Sequence, residues 1–285
     1  MADPGRPRES GAYREEEALH LRAASSLAGY TVAAHDGVIG AVQEFLFDDD
    51  IWAVRYIEVD PGDWLPGRKV LISPLVLQEP DWELPRLSTT LTREQVAGAP
   101  RIGKDEPVSR LHQVDLFMYY GWLPYWMEEE YYNVPSPPPG AAEATARQRF
   151  EQETAADRHL FASGEMTEFR IQALDGDAGH VEDFIMDEED WVIHYLVVAL
   201  DSPLPEQESG RSVLVSTEWV QKTVREEERI YVDLDRERVL NSPEYDPAVP
   251  VTREFELAVY DHYGRPRYWE PGGDVEEDDD MRFLS

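Results

Sequence analysis

Asp36-Gly37-Val38-Ile39-Gly40 recurs as Asp175-Gly176-Asp177-Ala178-Gly179, an offset of 139 residues, and Val59 meets Val198 at the same offset. Beyond a small insertion, Leu91-Thr92-Arg93-Glu94 recurs as Leu234-Asp235-Arg236-Glu237. The new offset of 143 holds as far as Tyr125-Trp126 against Tyr268-Trp269. A repeat of this length is the size of a small domain, so each copy has enough residues for a core.

Asp-Gly between β-rich segments is a hairpin signal, because two-residue type I′ turns need positive φ. It predicts that Asp36-Gly37 joins a strand over 30–34 to one over 39–47, and that Asp175-Gly176 joins 169–173 to 180–186. An acidic turn follows in each copy, Asp48, Asp49 and Asp50 in the first and 187–190 in the second. Trp52, Val54 and Tyr56 then alternate with Ala53, Arg55 and Ile57, matched by Trp191, Ile193 and Tyr195; this is the period of a half-buried strand. Val70-Leu71-Ile72 with Val213-Leu214-Val215, and 86–90 with 229–233, supply further strands. Six or so short antiparallel strands per copy suggest a small closed barrel, which leaves no free edges.

Each copy then turns helical. Thr92 and Gln95 are spaced for a capping box, and Asp235 stands at the place of Thr92. Gly98 and Asn241 suit a left-handed helix stop. A second helix starts near Ser109 or Thr252 and ends at Gly121 or Gly264. The expected fold is mainly β: two tandem small antiparallel β-barrels, each followed by one or two short helices.

The 285 residues are 42% hydrophobic, enough for packed cores, and no apolar run reaches the ~18 residues of a membrane span. Cysteine is absent, which fits a reducing cytoplasm. The net charge of −33 repels phosphate backbones, so nucleic acid is an unfavourable partner. Lysine occurs only at Lys69, Lys104 and Lys222; nearly all positive charge is arginine. That balance fits either an acidic protein from a GC-rich genome or adaptation to high internal salt. The expected organisation is a disordered N-terminus over 1–17, a first domain over 18–126, a Pro-rich linker with a polar helix over 127–158, a second domain over 159–269 and an acidic disordered tail over 270–285.

One string of residues resembles the PRC-barrel family, named for the cytoplasmic barrel of the photosynthetic reaction-centre H subunit. It comprises Gly29-Tyr30, Asp36-Gly37 with Gly40, Phe45 and Phe47-Asp48, Trp52 with Val54-Arg55-Tyr56, and Val59-Asp60. It continues with Trp64-Leu65-Pro66-Gly67-Arg68-Lys69-Val70-Leu71-Ile72-Ser73-Pro74 and Tyr119-Tyr120-Gly121-Trp122. The second copy departs from it in the longer acidic segment 201–210. The resemblance implies protein contact more than catalysis: related barrels dock onto reaction-centre subunits, a ribosomal protein and archaeal cell-division proteins. The chain lacks the membrane helix of an H subunit.

Catalytic signals are few. Among the seven histidines only His20 and His159 align between copies, and no phosphate loop, nucleophile elbow or His-Glu-x-x-His helix occurs. The acidic turns lack the ligand spacing and glycine of a calcium loop and read as solvated hairpin turns. The sequence therefore implies no enzyme, no metal and no cofactor. The interaction candidates are the apolar segment at Trp64 and Leu65, expected as an exposed loop tip, and the aromatic ends of the copies, Trp122, Tyr125, Trp126, Tyr268 and Trp269. The expected function is a cytoplasmic, non-enzymatic adaptor or scaffold with protein partners. The alternatives are a photosynthetic or electron-transfer accessory docking a membrane complex peripherally, and a small-ligand or metal-binding protein with a pocket between the barrels. The two barrels either act separately or pack with pseudo-two-fold symmetry.

Overall fold

The computed structural model describes residues 21–80, 84–122, 159–201 and 210–269. The expectations for 1–17, 127–158 and 270–285 lie outside these residues. The first copy contributes β1 (Leu21–Ala23), β2 (Thr31–Ala34), β3 (Gly37–Asp48), β4 (Ala53–Asp60), β5 (Arg68–Ile72), β6 (Arg86–Ser88), α1 (Arg93–Gly98), β7 (Ile102–Gly103) and α2 (Arg110–Tyr120). The second contributes β8 (Leu160–Ala162), α3 (Ser163–Met166), β9 (Arg170–Ala173), β10 (Gly176–Asp187), β11 (Ile193–Leu200), β12 (Ser212–Ser216), β13 (Val220–Val224), β14 (Arg229–Val232), α4 (Arg236–Leu240), β15 (Glu244–Tyr245) and α5 (Arg253–Tyr263).

These strands form two sheets, ordered β6-β2-β3-β4-β5-β7 and β13-β14-β9-β10-β11-β12-β15. The long hairpins β3–β4 and β10–β11 are their centres. Both carry bulges at equivalent places, Val42/Glu44 with Val181/Asp183 and Leu46/Phe47 with Ile185/Met186. The sequence predicts antiparallel pairing throughout, but the sheets are mixed. β2 with β6 and β9 with β14 are parallel, because the chain leaves β5 or β12 and crosses to the far edge before re-entering the sheet.

The first strand of each copy lies on the other copy's sheet. Leu21, Arg22 and Ala23 pair with Asp187, Met186 and Ile185, and Leu160, Phe161 and Ala162 pair with Asp48, Phe47 and Leu46. The register is the same on both sides, so the exchange obeys the repeat. Side chains from both copies then merge into one apolar cluster, with the rings of Phe47 and Phe184 at 5.1 Å across the seam. A smaller cluster lies under α2, where Tyr56 of β4 meets Leu116 and Phe117. β4 is thus buried on both faces, Ile57 and Val59 toward the main core and Tyr56 toward the helix. The half-buried expectation fails because it took no account of a helix packing on the second face.

Helix ends follow the sequence in part. Thr92 and Gln95 form the capping box, and Gly121 and Gly264 end α2 and α5 in the left-handed conformation at φ 73° and 65°. Asp235 makes no side-chain cap. Instead Asp175 accepts the N–H of Arg236 at 2.6 Å, as Asp36 accepts that of Arg93 at 2.7 Å. The aspartate of each Asp-Gly turn therefore starts a helix far along the chain. In those turns only the glycine has positive φ (149° at Gly37 and Gly176), so they are not type I′. Gly98 and Asn241 are not left-handed stops either. Arg68 donates to the carbonyls of Val96, Ala97 and Ala99, and Arg211 to those of Leu240 and Ser242, so a guanidinium satisfies the free carbonyls of α1 and α4.

Candidate interaction site

The seam between the copies holds a cleft of about 240 Å³ whose lining obeys the repeat: Ser25 with Gly164, Glu44 with Asp183, Phe45 with Phe184. Each carboxylate reaches across the seam. Asp183 accepts from the Ser25 main-chain N–H at 3.1 Å and from its hydroxyl, and Glu44 accepts from Gly164 N–H at 3.3 Å. Burial pushes both carboxyls above the ordinary range, and Glu58 adds to the rise at Glu44. The carboxylates tie one copy to the other through main-chain groups.

The aromatic tail of the second copy folds inward. Glu256, fully buried on α5, accepts from the hydroxyls of Tyr195 at 2.7 Å and Tyr268 at 3.0 Å and pairs with Arg253 at 2.7 Å. Burial raises the Glu256 carboxyl despite these partners. Tyr195 is raised by burial first and by the adjacent Glu256 second. The Tyr268 ring stacks on His194 at 4.5 Å, and Trp269 lies 5.0 Å from Tyr260 with the Arg253 guanidinium 4.1 Å over it. Tyr268 and Trp269 thus hold α5 to the sheet. The matching position in the first copy is the neutral Gln113, with Tyr56 3.5 Å away.

The first copy differs at the end of α2. Trp122 stacks on Tyr120 at 4.4 Å, and Tyr120 meets Tyr119 edge-on at 4.9 Å. Burial pushes the Tyr120 hydroxyl up to about 12. Outside this stack, Met118 is 40% and Tyr119 43% exposed. The Tyr119 hydroxyl donates to the Gln95 carbonyl at 2.9 Å, which fixes the ring against α1. At the same offset the second copy has Asp261 and His262, so this apolar surface is present once.

Trp64 is not the exposed loop tip expected from its apolar surroundings. It ends a 3₁₀ turn, Gly62–Trp64, and is half-buried. Its indole N–H donates to the Ile39 carbonyl at 2.5 Å, and the Arg93 guanidinium lies 4.2 Å over its ring. Leu65 packs on the main core. Tyr125 and Trp126 lie outside the described residues. Sequence reasoning missed Met118, whose lack of a counterpart in the second copy was the available signal. Among the described residues, no helix is long and apolar enough to cross a membrane. The chain matches no protein-family model and no curated protein with which it was compared.

Proposed function

We propose that this chain is a non-enzymatic protein-interaction scaffold of the cytoplasm, built from two PRC barrels joined into one body. The resemblance of the repeat to that family and the mainly β, two-sheet architecture support the barrel assignment. The observation that carries the docking function is the surface at the end of α2. Met118 and Tyr119 are exposed on a rigid aromatic stack that includes Trp122, while the second copy spends its aromatic residues internally. Rigid aromatic residues with one exposed face lose little entropy on binding and serve as interface anchors. Trp64 and Leu65 contribute their outer edges only.

The test is purification of the tagged full chain from its native host, cross-linked at cytoplasmic salt. One stoichiometric protein partner is expected, released by Met118→Arg with the thermal midpoint unchanged. A chain that comes down alone contradicts the proposal.

A further inference from the structure

The β3–β4 turn and the entry to the second copy meet at the seam. Asp49 main-chain N–H donates to the His159 carbonyl at 3.1 Å, extending the β3–β8 ladder by one bond. This places His159 beside the turn, with its side chain 53% exposed. Its Nδ1 lies 3.2 Å from Asp49 Oδ1 and 3.5 Å from Asp50 Oδ2, and the three donor atoms all fall within 4.8 Å of one another. Asp48 is occupied with the turn itself, accepting Asp50 N–H at 3.0 Å. Asp49 and Asp50 therefore both face the imidazole.

We propose that Asp49, Asp50 and His159 form a divalent transition-metal site that clips the two copies together. Two donors about 2.1 Å from a shared tetrahedral centre stand about 3.4 Å apart, which is the spacing of the imidazole nitrogen from each carboxylate oxygen. One imidazole with two carboxylates suits zinc, cobalt or nickel better than calcium or magnesium, which favour all-oxygen shells. The Asp49 side chain is 11% exposed, so a bound cation would offset the cost of holding a carboxylate there. At the 139 offset the counterparts of Asp49, Asp50 and His159 are Glu188, Glu189 and His20, and Glu188 pairs with Arg22 at 2.7 Å. Asp187, Asp190 and His194 also bring three donor atoms within 4.8 Å of one another, but these groups have other partners. Asp187 and Asp190 each accept a turn N–H, from Glu189 and Val192, and the His194 ring is stacked on Tyr268.

The test is calorimetric titration of the chelator-stripped full chain with ZnCl2 in moderate salt, with CaCl2 as comparison. Zinc binding with release of heat at one tight class of site is expected, with CaCl2 failing to compete at equal concentration. His159→Ala and Asp50→Asn should each weaken zinc by about ten-fold or more, and His194→Ala should leave it unchanged. Thermal unfolding in metal-free buffer confirms that each variant is folded; both substituted side chains are exposed. No tight zinc class in the parent chain, or retention of it in either variant, would overturn the site.

Discussion

Trp52 and Trp191 are related by exchange across the seam: the Trp52 carbonyl accepts the N–H of Ile193, and the Trp191 carbonyl accepts the N–H of Val54, each at 2.8 Å. Both residues take positive φ, 57° and 60°, a conformation costly for a bulky side chain unless its surroundings impose it. Here the two turns impose it on one another through the Ala53–Val192 bridge, and both indoles are buried. With the exchanged strands β1 and β8, these bonds make each copy incomplete without the other. The pairing of the copies favours a single body over two independent modules on a tether.

The glycines of the repeat carry a first prediction. A Cβ on Gly40 would stand 2.0 Å from the Asp60 carbonyl oxygen, and one on Gly179 would stand 2.2 Å from that of Ala199. Main chain cannot swing aside as a side chain does. Gly40→Ala and Gly179→Ala are each expected to cost about 3 kcal/mol in urea denaturation. A loss under about 1 kcal/mol would show that the hairpins are not packed as described.

The buried carboxylate on α5 carries a second. The Glu256 carboxyl is raised by burial above its ordinary 4.5, so its folded value exceeds its unfolded one. Its contribution is then fully present below the unfolded value and is lost as pH rises through the folded one. Glu256→Gln keeps the oxygen that accepts from Tyr195 and Tyr268 and removes this loss, matching Gln113 of the first copy. The variant is expected to melt higher than the parent near pH 7, with the gap closing below about pH 4.5. A gap that does not change with pH contradicts the assignment.

Charge repulsion carries a third. With a net charge of −33, the folded chain is stabilised when salt screens carboxylates from one another. Raising NaCl from about 0.05 to about 0.5 M is expected to raise the thermal midpoint by about 5 °C, an effect of order 1–2 kcal/mol. A midpoint that falls over this range would mean that the arginine–carboxylate pairs outweigh the repulsion.

The duplication, the long hairpins and the main helix caps were legible because each leaves a local signature. Asp-Gly, the Thr92–Gln95 spacing and the closing Gly121 and Gly264 all act within a few residues. What escaped depends on distant partners. The strands at Leu21 and Leu160 are three residues long, too short to show a period, so nothing signals their exchange. The role of Asp36 in starting α1 spans 57 residues, and the meeting of His159 with Asp49 spans 110. Trp64 read as an exposed tip because composition cannot reveal the Ile39 carbonyl beneath it.

The measurement that bears most directly on the single-body account is differential scanning calorimetry of the full chain. Strand exchange and a shared core predict one transition, with a calorimetric-to-van't Hoff enthalpy ratio of about 1. Two resolved transitions, or a ratio near 2, would contradict it and return the copies to independent domains.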